Sequence, residues 1–300
     1  MNSKTVHFII IDWGTTNFRA FALDNDGNIV DKTEHKLGLL QVEGKQFGSS
    51  LKGILSQWMT DYEHLPIYMA GMVGSAQGWV DVPYVTSPVA LTELTEVTHK
   101  FKLPWGMDAF IVPGVRQNDQ ADCYDVMRGE EVQLFGLKNL IEKESFVAIF
   151  PGTHSKHIHV QDGKLADFST FMTGELFSIL SQYSILGRAL PDQIQNQESF
   201  VKGVLESNNQ NFTNQIFSAR TLRIFEQIQE SHVLDYLSGL LIGYELRALD
   251  TDEVYLVGNH ALCERYECAG QALSVRSTSV CGNDSFVSGM LQIKKVLHNE

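Results

Sequence analysis

Short apolar runs followed by glycine-containing polar turns predict the strands of this chain. In the first such unit, residues 9–11 are three isoleucines, residues 13–17 form a turn, and residues 18–23 resume as a strand. An Asp-Gly pair then predicts a hairpin into a third strand. A second unit of the same kind starts at residue 145, where an apolar run ends in Pro-Gly-Thr-His-Ser-Lys and a new strand follows. The repetition predicts a duplicated architecture.

Apolar residues spaced three and four apart predict the helices. Besides one at residues 46–58, helices are expected at residues 169–190, 198–206, 213–230, 233–249 and from about 285. A strand at 253–257 delivers Gly258 and Asn259 to the start of a helix at 261–272. An α/β fold places nucleotides at such a junction of strand and helix.

The turn between the first two strands carries candidate phosphate-binding groups. Asp12 stands at its entrance, and Gly14, Thr15, Thr16 and Asn17 supply hydroxyls and backbone N–H groups. Such donors can face phosphate oxygens, while Asp12 can hold Mg²⁺ through water. A plain β-meander with a polar turn is the alternative interpretation.

Residues 71–79 form a glycine-rich stretch directly after a predicted strand. Glycine permits positive φ and close approach of the backbone to a ligand. A flexible surface loop is one interpretation, but such loops rarely carry Met, Val and Trp. We therefore interpret the stretch as a substrate-lining loop that starts at Gly71 and in which Ser75 or Trp79 faces the ligand.

A third segment with candidate chemistry covers residues 117–131. The apolar pattern after it predicts that Asp125 lies near the start of a helix, where an acid is either an N-cap or a site residue. Arg128 followed by glycine is a poor choice for a first helical turn, which indicates a role besides helicity. Arg128 could bind a carboxylate, or it could pair with Glu130 or Glu131.

Three side chains near the second Gly-Thr turn have no clear assignment from the sequence. His157 and His159 share a predicted strand face, and we expect solvated histidines there because no third metal ligand is nearby. Glu175 lies in the first turn of the next helix and is either a cap or a site residue.

The four cysteines lack metal-ligand spacing, which favours free thiols in a reducing compartment.

Length and charge narrow the class of protein. Three hundred residues, of which 43% are hydrophobic, suffice for a large core and two domains. A formal net charge of −13 argues against nucleic acid or an anionic membrane as partner. It permits an anionic small molecule, which needs only local positive charge. No membrane span or signal peptide is evident, so we expect a cytoplasmic protein.

Four motifs together resemble the 2-dehydro-3-deoxygalactonokinase family, which belongs to the actin–hexokinase–Hsp70 superfamily. They are Ile-Asp-Trp-Gly-Thr-Thr-Asn at 11–17, Gly-Met-Val-Gly-Ser at 71–75, Met-Arg-Gly-Glu-Glu at 127–131 and Phe-Pro-Gly-Thr-His-Ser-Lys at 150–156. The resemblance covers essentially the whole chain. It implies an α/β protein of two ribonuclease H-like domains, residues 1–115 and 116–283, with helix 284–300 packing back on the first. It also implies that ATP and Mg²⁺ bind in a cleft between the domains.

The resemblance further implies phosphorylation of 2-dehydro-3-deoxy-D-galactonate at its terminal hydroxyl to the 6-phosphate, a step of galactonate catabolism. It implies Asp125 as the catalytic base, with Asp119 and Asp122 as rivals, and Arg128 as the ligand of the substrate carboxylate or its keto group. Gly71, Ser75 and Trp79 complete the expected substrate site. The expected cofactor-binding residues are Asp12, Gly14, Thr15, Thr16, Asn17, Gly152, Thr153, His154, Ser155, Gly258 and Asn259.

Two other functions remain open from the sequence. One is a kinase for another keto-deoxy sugar acid, such as 2-dehydro-3-deoxygluconate, because epimers differ by one hydroxyl. The other is a non-catalytic nucleotide-binding regulator that uses the same fold. Both Gly-Thr turns, Asp12 and Asp125 are present, which favours the kinase. No residue indicates an oligomeric state, and a homodimer is one open expectation.

Overall fold

The computed structural model describes residues 5–118, 124–208 and 211–299. The chain divides into two compact units. Unit 1 contains the chain up to Ser145, residues 160–167 and the segment from Gly282, whereas unit 2 contains Phe146–His159 and Phe168–Cys281. The domain boundary predicted between residues 115 and 116 stays a prediction. Within the described ranges, every helix is too short or too polar to cross a lipid bilayer.

Unit 1 is built around a six-stranded sheet with the order β3-β2-β1-β4-β7-β6. Its strands are β1 (Phe8–Trp13), β2 (Phe18–Leu23), β3 (Ile29–His35), β4 (Ile67–Ala70), β6 (His99–Lys102) and β7 (Asp108–Ile111). A smaller sheet joins β5 (Val85–Thr86), β8 (Val115–Asn118) and β9 (Tyr124–Met127). The helices are α1 (Phe47–Trp58), α2 (Leu91–Glu96), α3 (Glu130–Ile141) and α10 (Gly282–His298).

Both faces of the six-stranded sheet are covered, which explains why β1 is a continuous apolar run. Ile9, Ile11 and Trp13 belong to a core cluster that includes buried residues of α1. Elsewhere in the sheet, the Phe21 ring lies 6.2 Å from the Phe286 ring of α10. The sheet is therefore a buried central layer that holds the β1–β2 turn in place.

The second sheet has the order β12-β11-β10-β13-β14. Its strands are β10 (Phe146–Phe150), β11 (Ser155–Gln161), β12 (Lys164–Phe171), β13 (Glu253–Gly258) and β14 (Arg276–Cys281). The helices of unit 2 are α4 (Thr173–Tyr183), α5 (Gln197–Glu206), α6 (Phe212–Ile216), α7 (Ser218–Ile224), α8 (Val233–Leu246) and α9 (His260–Ala272). Residues of α5, α8 and α9 pack with β10 and β13 to form the core beneath this sheet.

The two large sheets share one strand arrangement. Each places a hairpin-connected set of three strands at one edge and adds parallel neighbours beside the first strand of that set. The equivalent turns are β1–β2 in unit 1 and β10–β11 in unit 2. The prediction of a duplicated architecture is confirmed by this shared order.

Helix α10 completes unit 1 by packing closely against α3. A Cβ added to Gly136 would lie 1.7 Å from the Ser285 carbonyl oxygen, and one added to Gly289 would lie 2.0 Å from the Val132 carbonyl oxygen. Glycine at both positions therefore lets the two backbones approach each other. The Tyr68 hydroxyl also lies 2.7 Å from His298 Nε2, which joins β4 to the last turn of α10.

The expectation that Asp125 lies near a helix start is wrong. Asp125 belongs to strand β9, where it pairs with Gln117 of β8, and α3 begins only at Glu130. Gly129 has φ +115° at the N-cap, a conformation that glycine adopts without strain and that separates the strand from the helix. The apolar pattern after Gly129 predicts helix α3, which the structure contains. Before Gly129, antiparallel pairing with β8 makes the chain a strand.

Candidate active site

The β1–β2 turn is held by backbone hydrogen bonds and leaves its polar side chains exposed. Gly14 N donates to Asn17 O at 2.9 Å, and Gly38 N donates to Thr16 O at 3.1 Å. A Cβ on Gly38 would lie 2.2 Å from Thr15 O, so the neighbouring segment packs directly on the turn. Because Thr15, Thr16 and Asn17 are exposed on this fixed backbone, they can offer donors to a phosphate.

Asp12 lies at the end of β1 in a small polar cluster. Its carboxylate forms an ion pair with Arg19, whose Nη1 donates to Asn283 Oδ1 at 2.7 Å. Gly71, with φ +94°, passes so close that an added Cβ would lie 3.2 Å from Asp12 Oδ1. The described residues contain no group of three or more His, Cys, Asp or Glu that could hold a metal. A single carboxylate still fits Mg²⁺, which keeps several waters and takes further ligands from substrate phosphates.

The loop after β4 has a defined shape. The Ser75 hydroxyl is buried and donates to Met72 O at 2.8 Å. The Trp79 ring stacks on Phe47 at 6.3 Å and meets Phe101 edge-on at 5.2 Å. These contacts assign both side chains to the packing of the loop, and their contact with a ligand stays a prediction.

Arg128 has a buried guanidinium that is only partly hydrogen-bonded. Its Nη2 donates to Val82 O at 2.8 Å, and its guanidinium carbon lies 4.3 Å from the centre of the Tyr84 ring. Nε and Nη1 are buried without a hydrogen-bond partner among the described residues. A Cβ on Gly74 would lie 3.0 Å from Nη1, so the 71–75 motif makes room for this side chain. Within the described ranges, the arrangement leaves two guanidinium nitrogens without an acceptor, which is unfavourable for buried donors.

Glu130 and Glu131 both accept hydrogen bonds from the backbone next to the Arg128 guanidinium. Arg128 N donates to Glu130 Oε2 at 3.2 Å, and Gly129 N donates to both carboxyl oxygens of Glu131 at 2.8 Å. Glu131 is fully buried, and this desolvation raises the pKa of its carboxyl to about 8. The pairing of Arg128 with Glu130 or Glu131 stays an open alternative.

Asp125 is half-buried on β9, and its Oδ1 accepts from Val126 N at 2.7 Å. The rival acids Asp119 and Asp122 lie outside the described residues. Asp125 as the catalytic base thus stays a prediction.

The β10–β11 turn in unit 2 is clasped by the start of α4. Glu175 N donates to Thr153 O at 3.0 Å, and a Cβ on Gly174 would lie 2.4 Å from Gly152 O. The Glu175 carboxylate also lies 2.5 Å from Nε2 of His154. Glu175, which the sequence left open, therefore orients His154 within the turn.

A buried carboxylate that the sequence did not reveal lies beneath this turn. Glu245 of α8 accepts hydrogen bonds from Ser155, His157, Thr173 and Tyr266. The expectation of a solvated His157 is wrong, because its ring is buried against Glu245 and Phe171. A single glutamate among the apolar residues of α8 was the available signal.

A cavity of about 630 Å³ in unit 2 brings several predicted residues together. It is lined by Gly152, Thr153 and Asn259, and by Thr173 and Tyr266 of the Glu245 network. Asn259 caps α9, because its side chain accepts from Ala261 N at 3.0 Å. Gly258 ends β13 next to it, and an added Cβ would lie 3.6 Å from Pro151 O. The two predicted nucleotide segments of unit 2 thus meet at one cavity.

An ion pair that sequence reasoning missed forms part of the cavity wall. Arg265 Nη1 donates to Asp235 Oδ1 at 2.8 Å, and its guanidinium carbon lies 4.4 Å from the centre of the Phe200 ring. The two charges come from different helices, α9 and α8, so their spacing along the chain gave no signal.

Comparisons with known proteins identify the family of this chain. The family model for 2-keto-3-deoxy-galactonokinase matches residues 12–293. The 2-dehydro-3-deoxygalactonokinase of Escherichia coli K12 is 32% identical over 98% of this chain and 100% of its own length. A crystal structure of a Sinorhizobium meliloti protein described as a 2-dehydro-3-deoxygalactonokinase has a TM-score of 0.89 and 30% identity, covering 97% of this chain and 99% of its own.

A more distant structure shares the fold alone. Component A of (R)-2-hydroxyglutaryl-CoA dehydratase from Acidaminococcus fermentans has a TM-score of 0.52 and 13% identity over 97% of this chain and 99% of its own. The predicted fold class, α/β with two ribonuclease H-like domains of the actin-like ATPase type, is confirmed. With a family model spanning 12–293 and a relative of 32% identity aligned from end to end, this chain belongs to the 2-keto-3-deoxy-galactonokinase family and is a kinase.

Proposed function

We propose that this protein transfers the γ-phosphoryl group of ATP to the terminal hydroxyl of 2-dehydro-3-deoxy-D-galactonate, giving the 6-phosphate in galactonate catabolism. The observation that carries the proposal is the buried guanidinium of Arg128, in which two nitrogens, Nε and Nη1, have no hydrogen-bond partner among the described residues. A buried donor without an acceptor is costly, and charge-assisted hydrogen bonds from a guanidinium to an anionic oxygen are strong. The carboxylate of the sugar acid, or the keto oxygen next to it, supplies those acceptors, in a substrate site that includes Gly71, Ser75 and Trp79.

ATP is assigned to two sets of groups. Gly14, Thr15, Thr16 and Asn17 offer donors to phosphate oxygens in unit 1, as do Gly152, Thr153, His154 and Ser155 in unit 2. Gly258 and Asn259 take the adenosine. The cavity that Gly152, Thr153 and Asn259 line, about 630 Å³, is within the size range of small-molecule sites. Asp12 would hold Mg²⁺ through water, and the ion would offset charge on the transferring phosphoryl group.

The chemistry asked of the protein is mainly positioning and charge stabilisation. Asp125 accepts the proton of the attacking hydroxyl, a contribution that is worth ~10²–10⁴-fold in general-base catalysis. Arg128 binds the carboxylate at the opposite end of the sugar acid and so fixes the position of this substrate. The loop donors hold the phosphates so that the hydroxyl attacks in line.

A coupled ADP-release assay over a panel of sugar acids tests the proposal. We expect preferential turnover of 2-dehydro-3-deoxygalactonate, and loss of turnover with retained ADP binding in Asp125→Asn. Preferential turnover of 2-dehydro-3-deoxygluconate would show that the proposed substrate is wrong and that the proposed reaction, phosphorylation of a sugar acid, is right. Full activity of Asp125→Asn would move the base to Asp119 or Asp122. Bound ATP without turnover of any acid would support a regulator.

Location and assembly complete the proposal. The protein is expected to act in the cytoplasm, where ATP is available. A homodimer is the assembly to test first, by light scattering at several protein concentrations. An unchanged monomer mass over that range would exclude it.

A further inference from the structure

The Glu245 carboxylate is buried in unit 2 and has four hydrogen-bond partners. Its exposure is 2%, and it sits near the end of α8. Oε1 accepts from Ser155 Oγ at 2.6 Å and from His157 Nε2 at 3.0 Å. Oε2 accepts from the Tyr266 hydroxyl at 2.7 Å and from the Thr173 hydroxyl. An ionised carboxylate has about four acceptor sites, and four donors occupy them here.

The four donors come from three elements that surround the second Gly-Thr turn. Ser155 and His157 belong to β11, directly after the turn, while Thr173 starts α4. Tyr266 lies on α9 and, like Thr173, lines the cavity. Glu245 thus ties the exit of the turn to the segment that clasps it and to a wall of the cavity.

Within the network, the Tyr266 hydroxyl acts as a donor to Glu245. Burial, followed by the charge of Glu245, raises the pKa of Tyr266 well above its usual value, so its hydroxyl stays a donor. A buried carboxylate with fewer partners would be strongly unfavourable, which favours the conformation that keeps all four. The position of Gly152 and Thr153 depends on this conformation through Ser155 on one side and Gly174 on the other.

We propose that Glu245 is a positioning residue for the nucleotide, which holds the 151–155 turn in the conformation that presents its backbone N–H groups to the phosphates. It acts through Ser155 and Thr173 and does not touch the nucleotide itself. This inference rests on the proposed function, because it takes the unit 2 cavity as the ATP site. It adds a residue on α8, far from the Gly-Thr motif in sequence, to those that determine ATP affinity.

Two substitutions at this position test the inference. Glu245→Gln keeps the shape but has one oxygen acceptor, so two of the four donors must turn away or accept instead. Glu245→Asp keeps the charge but is one methylene shorter and cannot reach both donor pairs at once. Tyr236→Phe is the matched control, because Tyr236 is a buried residue of α8 whose hydroxyl bonds to Glu206 and Ser218, and it does not line the cavity.

The measurements are the Kd for ADP with Mg²⁺ by calorimetry, the KM for the sugar acid, and the melting temperature. We expect both Glu245 variants to weaken ADP binding about tenfold, which is the effect of losing one or two hydrogen bonds to a charge. The KM for the sugar acid should change by less than about twofold in the same variants, since Arg128 belongs to the other unit. Tyr236→Phe should lower the melting temperature and leave the Kd unchanged.

The outcomes separate the two proposals. Wild-type affinity in both Glu245 variants, with melting temperatures as low as that of Tyr236→Phe, would give Glu245 a structural role only and overturn the inference. No ADP binding by the wild-type protein would overturn the proposed function, and this inference with it. If neither Glu245 variant folds, His157→Leu removes one donor of the network and keeps the carboxylate, at a residue that does not line the cavity. Its Kd should then rise about threefold, and an unchanged Kd would overturn the inference.

Discussion

The buried carboxyl of Glu131 makes the stability of unit 1 depend on pH in a defined window. In the unfolded chain this carboxyl titrates near its ordinary pKa of 4.5, whereas burial raises its pKa in the folded protein to about 8. Between these values the folded state binds more protons than the unfolded state. The contribution of Glu131 to the free energy of unfolding therefore falls as pH rises from about 4.5 to 8, and this contribution does not change further above that range.

The magnitude follows from the two pKa values. Each pH unit in the window corresponds to 1.36 kcal/mol, so the full difference between pH 4.5 and 8 is about 5 kcal/mol. Glu131→Gln removes the titrating group and keeps one oxygen that can accept from Gly129 N. We expect the variant to gain about 1.4 kcal/mol in stability relative to wild type for each pH unit across the window. Comparing slopes cancels any constant cost of burying the amide.

The tryptophans make this measurement specific to unit 1. All four, Trp13, Trp58, Trp79 and Trp105, lie before Ser145 and so belong to this unit. Urea unfolding followed by tryptophan fluorescence at pH 5, 6, 7 and 8 gives the free energy of unfolding of the wild type and of Glu131→Gln. Parallel pH profiles for Glu131→Gln and wild type would refute the reasoning, because they would mean that Glu131 titrates alike in the folded and unfolded states.

Three further substitutions test the site and the fold. Arg128→Lys keeps the charge but loses the fork of donors, so the KM for the sugar acid should rise about tenfold or more in the coupled assay; an unchanged KM would remove Arg128 from the substrate site. Gly174→Ala places a Cβ against Gly152 O and should raise the Kd for ADP about tenfold, unless the turn is free to move. Gly136→Ala meets Ser285 O and should lower the stability of unit 1 by about 3 kcal/mol, measured by tryptophan fluorescence; a smaller loss would mean that α10 shifts at little cost.

Local sequence patterns predicted many of the strands and turns and some of the candidate site residues. The apolar runs and Gly-Thr turns located β1, β2, β10 and β11, because strands and tight turns depend on neighbouring residues. Asp125 was misplaced because the pairing of β8 with β9 is a tertiary contact that outweighs the helical pattern beyond Gly129. Periodicity within one segment does not report such pairing.

The side-chain contacts that the sequence did not predict are those between residues far apart in the chain. Glu245 is 90 residues from Ser155, and Asp235 is 30 residues from Arg265. Nothing in the spacing of these residues indicates that they meet. His157 was expected in solvent because no third metal ligand is nearby in the sequence, yet a buried acid from helix α8 is its hydrogen-bond partner. Burial of a polar side chain depends on a partner that a single segment does not reveal.

The packing of α10 on α3 also has a consequence for synthesis of the chain. Along the sequence, unit 2 follows the main part of unit 1 and precedes α10. The ribosome therefore synthesises unit 2 before α10, the helix that covers α3. Until then, the glycine-containing face of α3 and the partners of Phe286, Met290 and Ile293 stay uncovered. Although domains generally fold in order from the N-terminus, here the later unit can close first. Nascent unit 1 thus keeps apolar surface exposed until α10 has been synthesised.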